Sequence, residues 1–326
     1  MKKAKIVFTD YYYPNNNIEV DILKKLEDIE IVDCTKLFPG GIKDEDRVIE
    51  YAADADAIIV QFAKISRKVI GQLKNCKIIS RYAIGVDVID VMAAHEKGIV
   101  VANVPDYCIE EVSDTAIAHI FNCVRKVTQS NDLVHKSQWI FTNIKPVHRF
   151  SSLTVGIMAF GNIARRVAEK LRSFGVSIIA YDPYFNNQAN YPWIQFVSLE
   201  ELLSRSDIIS IHVPLNDESH HLLNRERFSI MKKGVIIVNT SRGGLIDEVA
   251  LAEAIEMGKV SAAGLDVLEY PDEEYGKSIL TKYSDKVFIT NHYGWYSEEA
   301  LIELQTKTAM NVYEMLKNGK SVYQVK

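Results

Sequence analysis

The chain has 326 residues, enough for two domains with cores of their own. With 48% apolar and 25% charged residues it has the composition of a soluble globular protein. Its formal charge of −5 argues against a general polyphosphate-binding surface, so no nucleic-acid partner is expected. The opening "MKKAKIVFTD" has too short an apolar run for a signal segment or a membrane span, and a cytoplasmic location is the default expectation, with no membrane partner. Cys34, Cys76, Cys108 and Cys123 lack any Cys/His metal spacing and lie in or near apolar stretches, which predicts reduced, buried thiols.

Along the chain, short β-rich runs alternate with amphipathic segments. The first set is "AKIVFT", "IEIVDC", "AIIVQF", "KIISRY" and "IVVANV", separated by helical patterns such as "IEVDILKKLED" and "DEDRVIEYAAD". A long helical pattern, "IEEVSDTAIAHIFNCVRKV", follows Pro105, and then comes a polar, aromatic stretch without a period, "HKSQWIFTNIKPVHRF". The second set is "TVGIMAF", "VSIIAYD", "FVSL", "DIISIHV", "GVIIVNTS", "AAGLDV" and "VFIT". Buried strands joined by helices predict an α/β protein: two doubly wound parallel-sheet domains, with a cleft between them. Ser297 reads as the N-cap of a last long helix that Gly319 stops. That helix is expected to return to the first domain, giving a discontinuous domain of residues 1–104 and 297–326 around a second of residues 105–296.

"VGIMAFGNIA" begins the second set. It has the strand-turn-helix form of a dinucleotide-binding turn, but the usual G-x-G-x-x-G stands here as Ala159-x-Gly161-x-x-Ala164. Gly161 keeps the position where a pyrophosphate approaches the backbone, and alanine is accepted at the third position. Alanine at the first position is expected to widen the turn and weaken affinity. The helix "NIARRVAEKLRSFG" offers its N-terminal N–H groups to an anion. Asp182 ends the next strand about 20 residues on, where a carboxylate bonds a ribose 2′-OH. No arginine follows it to hold a 2′-phosphate, so the turn favours NAD over NADP.

Three further stretches fall at later strand ends: "VNTSRGGLIDE" with Arg242, "AAGLDVLEYPDEE" with Asp266, and "VFITNHYGWYSEEAL" with His292. With "RYAIGVDVID" and "IHVPLNDES" they make the chain resemble the D-isomer-specific 2-hydroxyacid dehydrogenases over nearly its whole length. "TDYYYP", "VPDYCIEEVSDTAIA" and "HYGWYSEEAL" add a likeness to the C-terminal-binding-protein-like branch. The resemblance implies two Rossmann/flavodoxin-like domains, the first a substrate-binding lid and the second holding NAD. It implies hydride transfer between a D-2-hydroxyacid and its 2-keto acid. Arg242 would hold the carboxylate and polarise the carbonyl, and His292 would exchange the proton. By motif position Gly161, Asn162 and Ile163 would meet the pyrophosphate, and Val213, Pro214 and Ser219 the adenosine. Thr240, Ser241 and Arg242 would line the nicotinamide end, and Asp266 would bond the carboxamide or its ribose. His212 would sit at the rim of the cofactor. Ala83 and Ile84 would offer N–H groups to the substrate carboxylate, with Trp295 as a pocket wall, and Tyr12, Phe62 and Lys64 would bear on pocket size. The segment from Trp139 to Phe150 sits where this family places an arm across a two-fold interface, implying a homodimer.

Some positions depart from the family pattern. Its glutamate five residues past Asp266 is here Pro271, leaving Glu269, Asp272 or Glu273 to partner His292, of which Glu269 is preferred. Asn291 replaces a proline and Ala83 a glycine. Histidines other than His292 are read as surface or core residues. His220 and His221 lack a neighbouring ligand, so no metal is expected. Since nothing follows the last helix, an allosteric long form is disfavoured. The rival function is a non-enzymatic NAD(H)-sensing scaffold, a corepressor of the same branch with little turnover.

Overall fold

The computed structural model describes residues 3–325, except for the side chains of Asp272 and Glu273. It divides into two compact units, Met1–Tyr107 with Ser297–Lys326, and Cys108–Tyr296. Each contains one wholly parallel sheet.

In the first unit, β1 (Ala4–Phe8), β2 (Ile29–Asp33), β3 (Ala57–Val60), β4 (Ile78–Arg81) and β5 (Val100–Ala102) lie in the order β2-β1-β3-β4-β5. Ile6 stands between Ile31 and Ala57 in the ladder. Every residue of β3 and β4 is buried, as helices covering both faces require. Beyond the strand ends, the buried Asp10 carboxylate accepts the N–H groups of Gln61 (3.3 Å), Phe62 (2.7 Å) and Ala63 (3.1 Å), which ties the loop after β1 to that after β3.

The final helix, Glu298–Asn318, belongs to this unit. Ser297 Oγ accepts from Ala300 N, Glu298 and Glu299 fill the first turn, and Gly319 closes the end at φ 71°. Besides Leu304, Ala309 and Val312 it buries Gln305, Thr308 and Asn311. Each amide finds a partner far away in sequence. Gln305 Nε2 donates to the Glu19 carboxyl (3.0 Å), which also accepts from Tyr82 Oη (2.5 Å), and Asn311 Nδ2 donates to Asn103 O (2.9 Å). Burial still raises the Glu19 pKa, against the lowering effect of these bonds.

The second unit carries β6 (Thr154–Met158), β7 (Ser177–Tyr181), β8 (Gln195–Phe196), β9 (Ile208–Ile211), β10 (Val235–Asn239), β11 (Val260–Leu265) and β12 (Val287–Ile289). Their order is β12-β11-β10-β9-β6-β7-β8. The chain winds outward from β6 to β8, then returns to lay β9 on the other side of β6. That reversal is the switch point at which open α/β sheets bind ligands beyond their carboxyl ends. One core packs Val155, Ile157, Val167 and Leu171 with Ile120, and another packs Ile209, Ile237, Leu203, Leu251 and Leu265.

Two segments differ from the pattern read in the sequence. "FVSL" gives only Phe196 to the two-residue β8 (Gln195–Phe196), because Ser198 instead caps the helix Leu199–Arg205: its Oγ accepts from Glu201 N (3.1 Å) while Glu201 Oε2 accepts from Ser198 N (3.2 Å). The long helix starting at Ile109 stops at Arg125, since Lys126 turns left-handed (φ 55°), and a second helix, Val127–His135, follows. Among the described residues no helix is long and apolar enough to cross a membrane.

Candidate active and cofactor site

The cofactor turn is built from β6 outward. Ala159 adopts φ 65°, the left-handed conformation that the missing glycine would take at no steric cost. Ala159 N reaches Tyr181 O (2.8 Å), and Phe160 N donates to Asp182 Oδ2 (2.8 Å). Phe160 is fully buried edge-on to Phe185, Tyr191 and Phe196, which anchors the bend. Gly161 then caps the helix Asn162–Arg172 with φ −72°, and a Cβ there would meet open space. The glycine is therefore not required by the fold, which suits a position kept clear for a phosphate in front of the unpaired N–H groups of Asn162 and Ile163. Asp182 also accepts from Tyr184 N (2.8 Å), and two of its roughly four lone-pair sites stay open for a ribose.

The left-handed alanine gives a stability prediction. Relief of about 1–2 kcal/mol of strain is partly offset by the roughly 0.5–1 kcal/mol of extra chain entropy that glycine loses. Ala159→Gly should thus raise stability by about 0.5–1 kcal/mol, read as a higher urea midpoint at unchanged slope. A lower midpoint would mean that the Ala159 methyl makes packing contacts worth more than the strain.

Across the switch point, β9 leads into Val213 and Pro214. Ser219 is buried, and its Oγ donates to Pro214 O (2.7 Å) while accepting from Asn216 N (2.8 Å). Ser219 thus shapes the loop beneath Pro214, and its proton is already committed. Half-buried His212 meets Ser210 Oγ through Nε2 at 2.9 Å, and desolvation lowers its pKa from 6.5 to about 4. His119 is lowered too, by desolvation, against the Asp266 charge. Both rings take up a proton at lower pH in the folded protein than in the unfolded chain, so stability falls as pH drops below about 6.5, for His212 down toward 4. His212 alone contributes up to about 3 kcal/mol of that loss. Urea midpoints measured across this range should decline, and His212→Gln should flatten the decline; an unchanged slope in the variant would refute the assignment.

At the end of β10, the buried Asn239 donates to Arg242 O (2.9 Å) and accepts from Ser241 N (3.0 Å). Ser241 Oγ reaches back to Ile211 O (2.9 Å), and Arg242 Nη1 donates to Ser241 O (2.8 Å). Thr240 Oγ1 is buried with no hydrogen-bond partner among the described residues. An orphaned buried hydroxyl at this strand end fits a bound group there. Gly243 is required by packing, since a Cβ would lie 1.8 Å from Leu268 O.

β11 is followed by Asp266, buried and engaged on both oxygens. Oδ1 accepts from Thr290 Oγ1 (2.6 Å) and Tyr293 N (3.2 Å), and Oδ2 from Gly294 N (2.9 Å). Asp266 therefore fastens the loop bearing His292, a role beyond the expected cofactor contact. Thr290 Oγ1 in turn lies 3.0 Å from His119 Nε2. With Thr290 donating to Asp266, neutral His119 must carry its proton on Nε2. His119 and Thr290 were missed in the sequence because they are 171 residues apart and neither belongs to a spaced motif. His292 itself stands at φ 54° in the loop after β12. Trp295 follows, half-buried and edge-on to Tyr296.

Glu269 corrects an expectation. Its Oε1 meets His221 Nε2 at 2.6 Å and lies 3.9 Å from His220 Nε2, while its backbone N–H donates to Glu248. The loop shift needed to bring it to His292 does not occur, because Glu248 holds its backbone beside the other histidines. The alternatives Asp272 and Glu273 have side chains outside the described residues.

In the first unit, the loop after β4 is held from its carbonyl side. Val104 N and Asn103 Nδ2 donate to Ala83 O (3.0 Å) and Ile84 O (2.7 Å), and Arg81 Nη1 donates to Gly85 O (2.7 Å). The N–H groups of Ala83 and Ile84 have no protein acceptor among the described residues, as a carboxylate-binding loop needs. Tyr12 and Phe62 are exposed and stacked at 5.6 Å, with Lys43 Nζ 5.1 Å from the Phe62 ring centre.

The family described as "D-isomer specific 2-hydroxyacid dehydrogenase, NAD binding domain" matches residues 117–294, the span that carries both the turn and the later strand ends. The chain belongs to the D-isomer-specific 2-hydroxyacid dehydrogenase family. It is 39% identical over 260 residues to a hydroxypyruvate reductase of Thermotoga maritima, covering 79% of this chain and 83% of that one. It is 35% identical over 317 residues to a D-3-phosphoglycerate dehydrogenase of Methanocaldococcus jannaschii, covering 96% of this chain and 58% of that longer protein. A crystal structure of a glyoxylate reductase from Paecilomyes thermophila superposes with a TM-score of 0.88 at 27% identity, covering 100% and 99% of the two chains. The second unit of this dehydrogenase-family protein is thus an NAD-binding domain, and the corepressor alternative gains no support from these relatives.

Proposed function

We propose that the protein is an NAD-dependent oxidoreductase that interconverts a small 2-keto acid and the corresponding D-2-hydroxyacid. The observation that carries this reading is the shared edge of one sheet: Arg242 follows β10, Asp266 follows β11 and His292 follows β12, all at carboxyl ends. When bound, the cofactor supplies the hydride or accepts it. Gly161, Asn162, Ile163, Asp182, Val213, Pro214 and Thr240 would hold it. The Arg242 guanidinium pairs with the substrate carboxylate and draws charge onto the carbonyl oxygen. His292 gives that oxygen a proton in reduction and removes it in oxidation. Asp266 keeps the histidine loop in place. In the first unit, the Ala83 and Ile84 N–H groups are carboxylate donors, and Tyr12, Phe62 and Lys64 bear on side-chain preference, as Trp295 does in the second.

The names of the relatives support small substrates such as hydroxypyruvate and glyoxylate. NADH oxidation with glyoxylate, hydroxypyruvate and pyruvate tests the reading. Turnover with one of them supports it, whereas saturable NADH binding without turnover on any would favour the scaffold. The likeness to the C-terminal-binding-protein-like branch rests on three segments only and leaves the reaction unchanged. A homodimer is supported by the exposed Trp139 and Phe141, which are 87% and 73% accessible. A cytoplasmic setting fits the four free cysteines.

A further inference from the structure

We propose that His220, His221 and Glu269 form a site for one divalent transition-metal ion of the zinc class. The proposal goes beyond the dehydrogenase reading and uses none of the residues assigned to hydride transfer. The two imidazoles are stacked, with centroids 4.0 Å apart and planes at 26°, so adjacent residues turn their rings the same way. One ring nitrogen from each histidine and one Glu269 oxygen all lie within 4.8 Å of one another. Ligands about 2.0–2.2 Å from a tetrahedral ion stand about 3.3–3.5 Å apart. The Glu269 distances of 2.6 and 3.9 Å to the two histidines bracket that value, and because the in-plane lone pairs of stacked rings run nearly parallel, one ring must also turn for both to face the same ion, for which the exposed His220 has room.

The scaffold is rigid. His221 is held at φ 50°, an uncommon conformation for a residue with a side chain, and its N–H donates to Gly244 O at 2.7 Å. Glu269 N donates to the Oε1 of buried Glu248 (2.8 Å), whose Oε2 accepts from Ser278 Oγ (2.5 Å). A plain hydrogen bond between His221 and Glu269 would need neither the second ring nor the left-handed backbone. Two imidazole nitrogens and one carboxylate suit Zn²⁺, Co²⁺ or Ni²⁺, whereas Mg²⁺ and Ca²⁺ want oxygen. Three protein ligands leave a fourth position for water or a small carboxylate. Sequence spacing concealed the set because the third ligand is 48 residues from the second.

Titrating Co²⁺ into the chelator-stripped full chain tests this. The expected result is visible d–d absorption saturating at one equivalent, without the thiolate charge-transfer band that the cysteines would give. His220→Gln, His221→Asn and Glu269→Gln should each weaken binding by on the order of 100-fold or more, the top of the range for loss of an outer-shell partner. Asparagine tolerates the left-handed backbone at 221, and circular dichroism with NADH titration confirms that each variant is folded. Absence of saturable binding, a thiolate band, or affinity unchanged in all three variants overturns the proposal. The readout does not involve turnover, so a chain that reduces a keto acid but takes no cobalt refutes the metal site alone.

Discussion

Replacing His292 with asparagine lowers kcat by about 10²–10⁴-fold, the usual share of a positioned general acid–base group. Asparagine is the informative choice. The residue sits at φ 54°, where asparagine is tolerated, so the loop keeps its course while the titrating ring is lost. NADH affinity stays close to the parent value, because the loop remains held through Asp266, Tyr293 N and Gly294 N. Stopped-flow reduction of a 2-keto acid, with fluorescence titration of NADH, separates the two quantities. A variant that keeps the parent kcat would remove His292 from the proton transfer.

Replacing Asp266 with alanine costs about 3 kcal/mol of stability and most of the activity. Three donors lose their acceptor at once: the Thr290 hydroxyl and the N–H groups of Tyr293 and Gly294. Hydrogen bonds to a charged acceptor contribute about 1.5–3 kcal/mol each, and a buried donor left unpaired adds its own penalty. Gly294 is what lets the carboxylate come this close to the loop, since a Cβ there would stand 2.6 Å from Asp266 Oδ2. Because this variant risks general unfolding, Thr290→Val provides the finer test. It keeps the volume and removes the hydroxyl joining His119 to Asp266. We expect a loss of about 1–2 kcal/mol, a reduced kcat, and recovery of both in Thr290→Ser. Denaturant curves and steady-state rates measure these, and failure of serine to restore the rate would show that the methyl group, not the hydroxyl, matters at 290.

The dinucleotide turn could be read from the sequence because its chemistry is local: strand, bend and helix N-terminus lie within "VGIMAFGNIA", and the carboxylate ends the next strand. The loop that carries Arg242 was legible for the same reason, since Asn239, Ser241 and Gly243 shape it over a few residues. Glu269 was misassigned because distance along a loop says little about direction. Glu248, far earlier in the chain, fixes the Glu269 backbone and turns its side chain toward His221. Ser219 was read as a cofactor contact, but its hydroxyl closes its own loop on Pro214.

By itself, the sequence determined the α/β class, most strand positions, the caps of the last helix, and the chemistry carried at strand ends. These depend on hydrophobic period, on capping residues a few positions apart, and on short motifs, all interactions that the chain makes with its near neighbours. Only the tertiary structure decided what buried polar groups meet over long separations: Gln305 with Glu19, His119 with Thr290 and Asp266, and Glu269 with His220 and His221. A desolvated polar group must find a partner wherever the packed core places one, and that placement depends on the arrangement of sheets and helices, which no local pattern encodes.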